Sequence, residues 1–291
     1  MAGNAFKFGT DIWDPTHRFE TSWLVSPWVL FFCRALISLY AFTTLVFILV
    51  WRCINAPNHC VASQNQFSYF TSLTYWGIGF YFFFAALHTF TYARTGVPLL
   101  DRFPRPLQAL HSAFYTTIVV YPLVVTIVYW ARLYDGVWFA EVFEGWSNVS
   151  QHLLNSAFAL FEIIVPRTDT PPPVHMLWLI LVLALYLALA YMVEATRGFY
   201  PYDFLDPAEG AWVAVYVFGI AIGCIILFGF AWGCVKLRKH LTETKLGKHG
   251  KFAGPLLGGT KPISDDYATE GVFNNNRDVE MYKMRQVGNA V

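Results

Sequence analysis

The stretch FSYFTSLTYWGIGFYFFFAALHTF, Phe67 to Phe90, carries no Asp, Glu, Lys or Arg, yet it holds Thr71, Thr74 and His88. An apolar run of about 20 residues is what a helix needs to cross about 30 Å of hydrocarbon. Working outward, the chain repeats such runs. Spans are predicted at Trp28 to Trp51, Tyr69 to Tyr92, Leu107 to Trp130, Val149 to Val165, His175 to Ala195 and Ala211 to Val235. The fourth is the shortest and most polar, and without it the C-terminus would change sides. Trp28, Trp51, Trp130 and Trp232 fall near span ends, where amphipathic rings favour the interface.

Composition agrees with this solvent. Of 291 residues, 56% are hydrophobic, 19% aromatic and only 13% charged, with a mean hydropathy of +0.43. A soluble domain carries about 25% charged residues. The fold class is therefore all-α, a polytopic membrane protein with six transmembrane helices. A formal net charge of +1 offers no field for nucleic acid, and no such partner is expected.

Basic residues set the orientation. One face receives Lys7, Arg18, Arg94, Arg102, Arg105, Arg167 and the tail from Lys236, whereas the other keeps Arg52, Arg132 and Arg197. Cytosolic loops are the Lys- and Arg-rich ones, so both termini are expected in the cytosol. The organisation expected is a cytosolic segment 1–27, a six-helix membrane domain 28–235 and a largely disordered cytosolic tail 236–291. No removable signal peptide precedes the first span. The endoplasmic reticulum, another endomembrane or the plasma membrane would house the protein.

Of the five cysteines, Cys33, Cys224 and Cys234 lie in spans, where a thiol is usually a small apolar residue. Cys53 and Cys60 share the outside loop RCINAPNHC, and if that loop faces an oxidising lumen a disulfide between them is allowed.

At about 1.5 Å rise per residue, sequence position becomes depth, and the polar groups sort into two layers. Thr71, Thr74, Asn148, His152 and Asn155 share the outer layer; Arg34, His88, His111 and Glu162 share the inner one. In the inner layer Arg34 and Glu162 are expected to pair and the histidines to crosslink helices by hydrogen bonds. No two of these histidines have a chelating spacing, so neither a metal nor another cofactor is expected. Threonine in a membrane helix ordinarily bonds its own preceding turn. The sharper reading of the outer layer is a hydroxyl nucleophile and an imidazole base supplied by different spans, since histidine is the usual base near neutral pH. Asn148 and Asn155 stand nearest to orient His152. No G-x-S-x-G elbow occurs in the chain, which counts against an ordinary serine hydrolase.

Three motifs carry a resemblance. YFTSLTYW at Tyr69–Trp76, the pattern W-x-N-x-x-x-H within WSNVSQHLLNSAFALFE at Trp146–Glu162, and GFYPYDFLD at Gly198–Asp206 resemble the androgen-induced membrane protein family, six-span hydrolases of fatty acid esters of hydroxy fatty acids. The resemblance implies an intramembrane threonine nucleophile at Thr71 and a histidine base at His152, with a lipid ester as substrate. Thr74 competes for the nucleophile role. The same motifs resemble the rolling stone proteins, associated with cell fusion, for which catalysis is not implied. A small transporter ranks last, because the sequence shows neither an internal repeat nor paired broken helices.

Overall fold

The computed structural model describes residues 13–250, and among them every regular element is helical. Five helices are long and apolar enough to cross a membrane: Pro27–Asn55, Phe70–Thr95, Arg105–Leu133, His175–Arg197 and Trp212–Lys245.

Helix α1 (Pro27–Asn55) starts where Ser26 caps the Val29 amide and Pro27 takes the first turn, a position whose N–H has no helical partner in any case. A short helix α2 (Cys60–Asn65) leads into α3 (Phe70–Thr95), which ends on Gly96 in the left-handed conformation, φ 77°. Glycine adopts that cap without a Cβ penalty. After a turn at Leu99–Arg102, α4 (Arg105–Val128) runs past Pro122 and closes with a π-helical segment, Tyr129–Leu133.

The expected fourth span is one rod built of α5 (Val142–Val149), a π segment (Ser150–Leu154) and α6 (Asn155–Ile164). It begins at Val142, a full turn and more before the expected Val149, and at 1.5 Å per residue it is about 34 Å long. It is not among the five apolar helices, because its many polar residues lower its hydropathy; those residues are the ones turned inward. Ser147, Ser150, Gln151, His152, Asn155, Ser156 and Glu162 are buried, while Val142, Leu153, Leu160 and Ile164 are exposed. Helices α7 (His175–Arg197) and α8 (Trp212–Lys239, extended by the π segment His240–Lys245) complete the bundle.

Successive rods alternate in direction, so the start of α1 and the ends of α3, α6 and α8 gather at one end, the base. The starts of α3, α5 and α8 gather at the top. At the top, Arg52 meets Glu144 at 3.6 Å and Arg132 meets Asp203 at 3.4 Å, and Cys53 and Cys60 lie at disulfide distance. Outward faces are apolar: Phe32, Leu36 and Leu39 on α1, and Phe218, Ile222 and Ile226 on α8, are more than half exposed. Uncovered apolar belts of this extent fit hydrocarbon as the surrounding solvent.

Close packing and hydrogen bonds between rods hold the interior. On α3, Gly79 lets the Phe42 ring of α1 lie against it, and its carbonyl accepts from Ser38 Oγ at 3.0 Å. Tyr121 of α4 donates to the Leu179 carbonyl of α7 at 2.7 Å, and Thr116 meets His175 Nδ1 at 2.7 Å. The start of the expected tail is ordered helix. Helix α8 and its π extension reach Lys245, with Arg238 buried and donating to the carbonyls of Ile163, Pro166 and Thr168. A guanidinium with carbonyls to bond can be buried at the end of a helix, which is why the polar run does not leave the bundle at Lys236. The tail expectation beyond Gly250 lies outside the described residues.

Candidate functional site

Thr71 is the second residue of α3, buried at the top of the bundle. Its backbone N–H donates to the Tyr202 hydroxyl at 3.4 Å. Tyr202 lies in the GFYPYDFLD segment between α7 and α8, and its ring lies 6.3 Å from that of Tyr186 of α7, whose hydroxyl donates to the Ser68 carbonyl. Burial pushes the Tyr202 hydroxyl above its ordinary value. It therefore stays neutral and is able both to donate and to accept.

His152 sits in the π segment Ser150–Leu154. Its Nδ1 is 3.0 Å from the Asn148 carbonyl. A carbonyl only accepts, so Nδ1 carries the proton and the Nε2 lone pair is left as the basic site. The ring stacks on Tyr129, centroids 3.6 Å apart and 13° from parallel. Tyr129 in turn donates its hydroxyl to Asn148 Oδ1 at 2.7 Å, and Trp130 Nε1 donates to the His152 carbonyl at 3.0 Å. Tautomer and ring plane are thus fixed by α4 and by the residue one turn back.

The expected supporting residues divide. Asn148 orients His152, through its backbone carbonyl with its carboxamide bracing Tyr129. Asn155 is a crosslink instead: it accepts from Thr126 Oγ1 at 3.0 Å and donates to the Pro122 carbonyl at 3.4 Å, while Ser156 Oγ donates to the same carbonyl at 3.0 Å. Thr74 bonds its own helix, donating to the carbonyls of Phe70 and Thr71 at 2.9 and 3.0 Å. Among the described residues no hydrogen bond or ring contact joins Thr71 to His152. Thr71 is turned to Tyr202 and His152 to Tyr129, although α3 packs against the π segment.

An apolar cleft of about 390 Å³ lies between α3, α4 and α7, lined by Phe70, Thr74, Phe114, Tyr121, Val182 and Tyr186 among others. Its walls suit an aliphatic chain; Thr74 lines it, whereas Thr71 is represented there only by its sequence neighbour Phe70. Sequence reading did not identify Tyr202 and Tyr129 as partners of the two candidate residues, although Tyr202 belongs to a motif quoted for its resemblance.

The inner layer is a buried network. Arg34 donates through Nε and Nη2 to the two oxygens of Glu162, Nε at 3.3 Å, and through Nη1 to the Phe19 carbonyl and Thr89 Oγ1, both at 2.7 Å. Tyr81 adds its hydroxyl to Glu162 at 2.8 Å. The Arg34–Glu162 pair is thus present as expected. The histidines differ from expectation because rings surround them: His88 meets His111 edge-on at 5.0 Å, and His111 lies parallel to Tyr81 at 5.6 Å. Among the described residues no group of three or more His, Cys, Asp or Glu side chains is arranged to hold a metal ion.

Compared with protein-family models, with curated proteins and with solved structures, the chain matches none.

Proposed function

We propose that this chain is a six-span integral membrane protein of the endomembrane system, with both termini cytosolic, that hydrolyses lipid esters of the fatty acid–hydroxy fatty acid class. The observation that carries the reading is the fixed tautomer of His152, a buried imidazole whose Nδ1 proton is held by Asn148 and whose Nε2 is left as a base. The motif resemblance and the apolar cleft lined by Phe70 and Thr74 support it further.

In this reading the acyl chain occupies the cleft and delivers its ester to the Phe70 end. Thr71 Oγ1 attacks the carbonyl carbon as its proton passes to His152 Nε2, and the bond to the alkoxy oxygen breaks with that proton going to the leaving alcohol. Water then attacks the acyl-threonine, again losing its proton to Nε2, and Thr71 is regenerated. Tyr202, already bonded to Thr71, supplies a neutral hydroxyl toward the developing oxyanion. The ester must draw Thr71 toward His152, since the unliganded arrangement turns them apart.

A second reading, a non-catalytic membrane protein of the rolling stone type, is favoured by that same lack of a Thr71–His152 bond. Labelling with a lipid-like fluorophosphonate probe, together with ester turnover, separates the two. Thr71→Ala and His152→Ala are each expected to lose at least about 10²–10⁴-fold in turnover, with probe labelling lost in Thr71→Ala, while Thr74→Ser and His88→Ala keep both. A folded wild-type protein that neither labels nor turns over would leave the non-catalytic reading standing.

A further inference from the structure

The segment from Trp13 to Ser26 places four ionisable residues close together, Asp14, His17, Arg18 and Glu20, and folds most of them under the base of the bundle. Glu20 is 1% exposed, and neither of its carboxyl oxygens has a hydrogen-bond partner. Asp101, from the turn between α3 and α4, brings Oδ2 to 3.8 Å from His17 Nδ1, too long for a hydrogen bond, and both atoms are likewise buried and unpartnered. Asp14 keeps one oxygen on the Phe19 amide at 3.1 Å.

The cations around this cluster are committed elsewhere. Arg34 of α1, which lies in the field of Glu20, is bonded to Glu162 of α6. Arg18 is paired with Glu243 at 2.6 Å and lies 3.6 Å from Asp169. Arg167 bonds Thr21 Oγ1 at 3.3 Å and is 3.9 Å from Glu243, and Arg238 is bound to carbonyls. His88 and Tyr92 of α3 and His111 and Tyr115 of α4 supply rings. Among the described residues both Glu20 oxygens and Asp101 Oδ2 lack a hydrogen-bond partner, while Arg18 and Arg167 lie in the field of Asp14. An ionised carboxylate so placed is strongly unfavourable, whereas the protonated group is far less so.

The segment is also a wall. The Phe19 ring packs against His111 at 5.2 Å and Tyr115 at 6.0 Å. Phe19 and Tyr115 both line a cavity of about 860 Å³, together with Trp13, Arg18, Asp169, Lys239 and Glu243 among others. The segment is tied to the base by Ser22 Oγ to the Val165 carbonyl at 2.6 Å, Trp23 Nε1 to the Ile164 carbonyl at 2.7 Å, the Arg167 N–H to the Thr21 carbonyl at 2.9 Å, Arg34 to the Phe19 carbonyl, and the Arg18–Glu243 ion pair at 2.6 Å.

We propose that Trp13–Ser26 is a proton-held cover over the buried Arg34–Glu162 pair, closed while Glu20 and Asp101 carry protons and released when they give them up. Burial pushes the Glu20 carboxyl well above its ordinary range, with Asp14 and Asp101 pushing the same way, and burial together with Asp14 raises Asp101 to about 7. Burial also raises Asp14. For acids raised in the closed state, closure is fully stabilised below their ordinary values and weakens as pH climbs through the raised ones. His17 acts oppositely: burial lowers it to about 4, so its contribution is lost as pH falls from the ordinary imidazole value toward that level. The cover is firmest in mildly acidic solution and loosens above neutrality. Release would join the large cavity to His111 and the Arg34–Glu162 pair. None of this depends on the ester-hydrolase reading.

Hydrogen exchange on the full chain in detergent micelles, corrected for intrinsic rates, tests the idea between about pH 6 and about pH 8. Across that interval protection of the Phe19–Ser22 amides should fall with rising pH by about tenfold per pH unit for each proton released on opening, while amides in the middle of α3 and α4 hold steady. Glu20→Gln and Asp101→Asn should keep the segment protected at the alkaline end. Constant wild-type protection overturns the proposal, as does loss in step with α3 and α4, or a full wild-type slope in the Glu20→Gln/Asp101→Asn double variant. If those variants do not assemble, the wild-type titration decides alone.

Discussion

Replacing Arg34 by Met removes the cation from the most buried ion pair described. Glu162 is 0% exposed and Arg34 1%, so water screens neither charge and no discount for solvent applies. After the change Glu162 keeps one neutral partner, the Tyr81 hydroxyl at 2.8 Å, and Thr89 loses a donor. Removing one member of a buried pair costs about 3–5 kcal/mol. For a chain of this size each kcal/mol moves the midpoint by about 2–4 °C, so Arg34→Met should melt on the order of 10 °C below wild type. Glu162→Gln should cost less, about 1–3 kcal/mol, because Arg34 retains the Phe19 carbonyl and Thr89. The double variant Arg34→Met/Glu162→Met leaves no stranded charge and should recover most of the loss. Thermal unfolding in one detergent, followed by tryptophan fluorescence and far-UV circular dichroism, reads all three. If the double variant falls as far as the sum of the single changes, the two side chains do not act as a pair and the argument fails.

Three further outcomes follow from the packing and topology. A Cβ on Gly79 would sit 3.0–3.2 Å from Phe42 ring atoms, so Gly79→Ala should cost about 1–3 kcal/mol in the same melting assay, and Phe42→Leu should restore part of it. Cys53 and Cys60 should resist alkylation until reduction and then take two mass tags together; tagging without reductant would show the pair to be open. Protease added to sealed vesicles with their cytosolic face outward should remove residues beyond Gly250 and spare the Arg52–Cys60 loop, whereas a protected tail would require an odd number of crossings.

Apolar run length reveals helix positions because hydrocarbon thickness fixes how long a run must be, and depth alone brought Arg34 and Glu162 to one level. The start of the fourth rod was hidden by Glu144 and Gly145, which lower the local hydropathy although Glu144 only meets Arg52 at the rim. Depth also says nothing of rotation about a helix axis. Counting from Val149 puts Thr71 and His152 at one level, but the rod starts at Val142, and Thr71 bonds Tyr202 while His152 stacks on Tyr129, so depth did not reveal partner. Arg238 falls in the tail expected to be largely disordered, and its burial rests on carbonyls that only the folded chain presents. The carboxyl cluster at the base was illegible for a related reason. Glu20 and His17 lie in irregular backbone with no periodicity, and Asp101 reaches them from another turn.

The π segment Ser150–Leu154 has a consequence for how this chain should be compared with others. A π turn accommodates one residue more than an α turn, and one residue in a helix is about 100° of rotation. Deleting a single residue there would restore a uniform α rod but swing Val142–Val149 about a third of a turn relative to Asn155–Ile164. Asn148 would then no longer lie beneath His152 Nδ1, and Ser147 would leave its buried face. Length variation in divergent relatives should therefore fall inside these five positions or be absent from the whole rod. Where a gap does fall there, an aligned histidine would share the column of His152 without sharing its direction.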